Sequence, residues 1–215
     1  MPPAQPTPEG LLTVMGSTSA LNLNAPPSDW VIVGGDNNTV PVLSNVTMGG
    51  IHALELRSGQ NPVIAVRKVD AMMLATPYLS WSWHLSNHGA GIHPVRLVIG
   101  FEGGLREGDE TGSRGADLPE HDRALTLVWG DSALRRGALS LPPIERPFEA
   151  PVYTVRGGRE NTRTWWSEAV DLSSLYAQAW PQDNHRRVRI KFIGLAAAHS
   201  PSVVRGRIAQ IVLTH

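Results

Sequence analysis

Short apolar runs recur along the chain, and a turn signal follows nearly every one. From Leu11 onward they read LLTVMG, WVIVGG before DNN, VPVLSNV before GG, IHALELRSG, and PVIAVRKV before an aspartate. YLSWSWHL, PVRLVIGF and ALTLVWG follow, then APVYTVRGG, RTWWSEAV, RRVRIKFIGLA and VVRGRIAQIVL. Each has the length of a strand and is bounded by Gly, Asn, Asp or Pro. About a dozen such segments predict an all-β chain, a two-sheet antiparallel β-sandwich of the jelly-roll type seen in galactose-binding and concanavalin-like folds. One short helix is expected in DLSSLYAQAW, where Asp171 or Ser173 can cap, Leu175, Ala179 and Trp180 fall at helical spacing, and Pro181 ends the run.

Side chains alternate between the two faces of a strand. Residues 78 to 85 therefore divide into Leu79, Trp81, Trp83 and Leu85 on one face and Tyr78, Ser80, Ser82 and His84 on the other. Four large apolar side chains in line predict core rather than a sugar-stacking platform, which would set an aromatic among polar neighbours. The same parity buries Val95, Leu97, Ile99 and Phe101, and likewise Leu125, Leu127 and Trp129, while Arg96 and Thr126 turn outward. If these three strands are neighbours, Ser82, His84, Arg96 and Thr126 share one polar sheet face. That face is the candidate binding surface, or else the solvated side.

Near the C-terminus the pattern buries Val188, Ile190 and Phe192 and turns out Arg187, Arg189 and Lys191. Arg205 and Arg207 lie on the next strand, and pairing of the two strands would gather five cations for an anionic partner. The alternative is a solvated face balanced by the acidic loop of residues 102 to 123, which carries seven acids against three arginines.

Composition narrows the partners. Lys plus Arg and Asp plus Glu number 19 each among 215 residues, so no net field draws the chain to nucleic acid. The absence of cysteine excludes disulfides and thiolate metal sites. No apolar run approaches the roughly 18 residues of a membrane helix, so no transmembrane segment is expected. The Pro-rich residues 1 to 10 read as an extended tail held against its own domain or a neighbour, and residues 11 to 215 read as one sandwich domain. The tail and the loop of residues 102 to 123 are the expected docking elements for a protein partner.

No phosphate loop, dinucleotide fingerprint or nucleophile elbow is present. His84, His88 and His93 lie close in sequence but have no carboxylate among them, so neither a metal nor a cofactor is expected. Glycoside hydrolysis needs two facing carboxylates, and the strands offer only the scattered Glu55, Glu168 and Asp171.

The order of segments from GIHALELRSGQNPVIAVRKVD through TPYLSWSWHLS, VRLVIGF, ALTLVWG and RTWWSEAVDL to IKFIGLAAAHS and RGRIAQIVL resembles the bacterial family catalogued as domain of unknown function 3047. The resemblance spans about residues 28 to 213 and rests on Leu79, Trp81, Trp83 and the strand from Ala124 to Trp129. It implies a β-sandwich exported to the periplasm or secreted, of no established activity; a cytoplasmic location stays open. The chain departs from the family's pattern where arginines stand between and after the paired tryptophans, here Ser82 and His84, and where a closing aspartate stands, here Gln210. It also has NHGAGIH in place of an aspartate run and AAAHSPS in place of a Thr-Asp-rich loop. These departures suggest a non-catalytic sandwich working through protein contacts as an accessory subunit. A carbohydrate- or small-anion-binding module is the alternative reading, and a glycan-active enzyme the second alternative.

Overall fold

A computed structural model describes residues 2 to 16, 20 to 35, 42 to 105, 117 to 143, 145 to 146 and 149 to 215. Its strands are β1 (Leu12–Met15), β2 (Trp30–Gly34), β3 (Leu43–Met48), β4 (Ile51–Arg57), β5 (Val63–Met72), β6 (Tyr78–Leu85) and β7 (Val95–Glu102). After these come β8 (Arg123–Gly130), β9 (Leu139–Ser140), β10 (Val152–Gly157), β11 (Trp165–Asp171), β12 (Arg189–Ala197) and β13 (Arg205–Thr214). One α-helix, α1 (Leu172–Ala179), follows β11 directly.

The strands form two sheets. The six-stranded sheet runs β11-β6-β13-β4-β3, with β1 pairing on β13, and the seven-stranded sheet runs β2-β5-β12-β7-β8-β10-β9. All pairings are antiparallel except β10 with β8. The chain is thus a two-sheet sandwich of jelly-roll type with one short helix, as the alternation of its apolar runs predicts.

The core lies between the sheets and draws on both. Leu79, Trp81, Trp83 and Leu85 of β6 are buried against Val95, Leu97, Ile99 and Phe101 of β7 and Leu125, Leu127 and Trp129 of β8. Trp81 and Trp83 meet edge to face at 5.4 Å, and Trp83 meets Trp129 of the opposite sheet at 5.7 Å. Such contacts add about 0.5–1.5 kcal/mol per pair beyond the area buried. The Trp129 indole N–H donates to the Gly158 carbonyl at 3.1 Å, so its polar edge is satisfied inside the core.

Two bulges shift the parity. On β12 the register slips at Lys191, so Ile190 faces the core opposite Phe101 while Phe192 pairs with Gly100. Phe192 is buried as expected, but on the outer face of its sheet. There its ring occupies the place where a side chain on Gly100 would stand, and His121 meets it edge to face at 5.1 Å. On β13 the slip lies between Ala209 and Val212, and Gln210 takes φ 56°. A non-glycine residue in that left-handed region inside an interior strand marks a bulge imposed by its neighbours.

Local signals at α1 act as the sequence implies. The Asp171 carboxylate accepts from the Ser174 amide at 3.0 Å, and Leu172, Leu175 and Tyr176 are buried. The tail is held against its own domain, where the Ala4 amide donates to Lys68 O at 3.1 Å and Ala4 O accepts from the Asp70 amide at 2.9 Å. Residues 106 to 116 of the acidic loop and Met1 of the tail lie outside the described residues.

Candidate functional site

The expected polar face does not form as one surface. Strand β6 lies in the six-stranded sheet and pairs with β11 and β13, whereas β7 and β8 lie in the seven-stranded sheet. Ser82 and His84 therefore face outward on one side of the sandwich, Arg96 and Thr126 on the other. Strand adjacency in sequence did not become adjacency in a sheet, because the chain crosses from one layer to the other between Leu85 and Val95.

The five-cation patch is divided in the same way. Arg189 and Lys191 stand on β12 of the seven-stranded sheet, preceded by the exposed Arg187, and Arg205 and Arg207 stand on β13 of the other sheet. Acids from distant strands separate them further. Arg189 contacts Asp70 at 2.6 Å, Lys191 contacts Glu102 at 3.0 Å, and Arg207 contacts Glu55 at 2.6 Å. The Arg189 guanidinium holds the Asp70 carboxyl below its ordinary range.

What the six-stranded sheet builds is a row of five side chains. Trp165 on β11 pairs with His84 on β6, His84 with Arg207 on β13, Arg207 with Glu55 on β4, and Glu55 with Ser44 on β3. The Trp165 and His84 rings are tilted at 5.7 Å. Arg207 donates Nη1–H to His84 Nδ1 at 3.3 Å and bonds Glu55 Oε2 through Nη2 at 2.6 Å, with Arg205 Nε 3.8 Å from the other Glu55 oxygen. Because a guanidinium only donates, His84 Nδ1 must accept, which keeps the proton on Nε2. Burial, with the Arg207 charge adding to it, holds His84 below the usual histidine range, so the ring is neutral near pH 7.

A second row lies beside the first. Ser82 pairs with Ser167 across β11, and their hydroxyls are 3.1 Å apart. The Ser82 hydroxyl also donates to Gln210 Oε1 at 3.1 Å, which the β13 bulge brings onto this face. Ser82, His84 and Gln210 thus meet on one surface. Although outward, Glu55, Ser82 and His84 are only 5 to 8% exposed. Ser167 and Gln210 remain exposed, and the Trp165 indole N–H is buried with no partner among the described residues.

Sequence reading missed Trp165, Glu55 and Ser167 as members of this face. One signal was present: adjacent tryptophans on a strand must face opposite ways, so one of Trp165 and Trp166 had to point out. Trp166 faces the layer between the sheets, where the Arg156 guanidinium lies 3.8 Å over its ring and bonds Glu168 Oε1 at 2.5 Å. Glu168 and Glu55, the acids considered for glycoside hydrolysis, each face arginines. His84 stands apart from His88 and His93, whose rings meet at 4.9 Å, and among the described residues no three potential ligands gather around a metal position.

No family model matches the chain, and no curated protein matches it. Among solved structures it is similar to a family 11 carbohydrate-binding module of a cellulosomal cellulase of Clostridium thermocellum, with 10% identity over 97% of this chain and 96% of that one and a TM-score of 0.49. A family 30 carbohydrate-binding module of another cellulosomal cellulase of that organism is 12% identical over 94% and 91%, with a TM-score of 0.40. A family 12 xyloglucanase from Bacillus licheniformis is 9% identical over 99% and 97%, with a TM-score of 0.42.

Proposed function

We propose that the chain is a carbohydrate-binding module that takes its ligand on the outer face of the six-stranded sheet. The row Trp165, His84, Arg207, Glu55 and Ser44 carries this reading. An aromatic side chain at one end offers a π-face to the apolar C–H face of a sugar ring. Beside it, planar groups locked to one another by hydrogen bonds present fixed donors and acceptors to vicinal hydroxyls. Preorganisation of this kind lowers the ordering cost of binding. Ser82, Ser167 and Gln210 extend the polar strip along the strands, and rigid strands rather than loops support every member but the bulge residue.

The accessory-subunit reading takes the tail and the loop of residues 102 to 123 as docking elements, and Ala4 of that tail is hydrogen-bonded to its own sheet. The sugar reading is tested on the full chain by titration calorimetry against a panel of neutral and acidic oligosaccharides. Saturable binding of at least one is expected, with Trp165→Ala weakening it tenfold or more while far-ultraviolet circular dichroism stays unchanged. Silence across the panel, or binding indifferent to both Trp165→Ala and Glu55→Gln, overturns it.

A further inference from the structure

The opposite face of the sandwich holds concavities of different chemistry. Across the seven-stranded sheet, Val33 of β2 pairs with Ile64 of β5, Ile64 with Ala196 of β12, and Ala196 with Arg96 of β7. With strands about 4.8 Å apart, this row is about 14 Å long. It is apolar for three positions and ends on a cation. An apolar groove of about 350 Å³ runs along it, with Arg96 at one end and Val33, Ile64 and Ala196 in its floor.

Arg96 also lines a separate cavity of about 220 Å³, walled by His88, His199, Ser200 and Ser202. Among the described residues its side chain donates Nε–H to the Pro94 carbonyl at 3.3 Å and no carboxylate pairs with it. Arg96 is partly buried. Burial draws its pKa below the usual arginine value, as expected of a charge separated from water without a counterion. His88, 8% exposed, borders the same cavity with both ring nitrogens buried and without partners. A partly buried cation with no carboxylate beside it among the described residues and a buried imidazole without partners thus border one cavity.

We infer that this face binds an amphipathic anion, a single carboxylate or phosphate head on an unbranched alkyl chain. The head pairs with the Arg96 guanidinium in the polar cavity and accepts from His88 and the Ser200 hydroxyl. The chain lies along Ala196, Ile64 and Val33. A guanidinium at the end of an apolar trough selects for charge at one terminus of the ligand and apolarity along its length. A hydroxyl head would leave the guanidinium without a counterion.

The probes are decanoate, decyl phosphate, decanol and acetate, titrated into the full chain below their aggregation concentrations and followed by two-dimensional NMR. Saturable shifts at Ala196, Ile64 and the 88 to 92 segment are expected for decanoate or decyl phosphate or both, which tells a fatty acid from a phosphate monoester. Decanol and acetate are each expected to bind at least tenfold more weakly. Arg96→Gln should remove that discrimination between the anion and decanol, and Ala196→Phe should block the alkyl chain while leaving the fold intact. Absence of saturable binding by both anions overturns the inference, as does affinity unchanged by Arg96→Gln. Trp165→Ala is expected to leave decanoate binding unaltered, so this site and the sugar-binding face fail or stand independently.

Discussion

His93 shows what a single buried residue imposes. It is fully buried, its Nδ1 accepts from the Val95 amide at 3.0 Å, and burial drives its pKa down to about 3, with His88 and Arg96 nearby adding to the effect. The folded chain therefore refuses a proton that the unfolded chain takes up near pH 6.5. Stability from this group is complete above that pH and falls as pH drops toward 3, at about 1.4 kcal/mol for each pH unit. Chemical denaturation between pH 7 and pH 4 is expected to show this slope, and His93→Asn to flatten it. An equal slope in the variant would assign the acid sensitivity elsewhere. Glu55, Arg207 and Trp165 were individually visible in the sequence, yet nothing local tied them together, because Glu55 and Arg207 are 152 positions apart and meet only through β4 and β13.

At the scale of the element, period-two alternation was legible wherever a strand kept its register. Every residue expected inside on β6, β7 and β8 is buried. The helix boundary was equally legible, since an aspartate cap and a following proline act within a few residues. Alternation misplaced Phe192 because a bulge adds one residue and moves all later side chains to the other face. The bulge at Gln210 yields a further expectation. Its φ of 56° suits glycine and strains a β-branched residue. Gln210→Val is expected to destabilise by about 1 to 3 kcal/mol and Gln210→Gly to stay within about 1 kcal/mol of the parent in urea denaturation. A neutral valine would show that the bulge relaxes freely.

For the whole molecule, the tail is part of the sheet edge. Removing residues 2 to 10 deletes the two bonds between Ala4 and the β5 backbone, at about 1 kcal/mol each. A fall in melting temperature of roughly 4 to 8 °C is expected for a chain of this size. An unchanged melting temperature would mean the tail adds nothing to the fold. The partition of strands between layers also belongs to this scale, and it divided both candidate clusters. The face of Ser82 and His84 acquired Trp165, Arg207 and Glu55 in place of Arg96 and Thr126. Arg96 came to stand at one end of an apolar groove.

The sequence by itself determined which side of each regular strand is apolar, where the helix starts and stops, and that two sheets must close on one another. Those properties follow from side-chain direction, capping and burial of apolar area, which act over a few residues. Tertiary structure alone decided which strands are neighbours, where the bulges fall and which charges find partners. Pairing β13 with β6 and β4 rather than with β12 is a competition among long-range contacts, and no local pattern records its outcome. For that reason YLSWSWHLS disclosed its core face plainly, while the partners of Ser82 and His84 emerged only when distant strands were laid beside them.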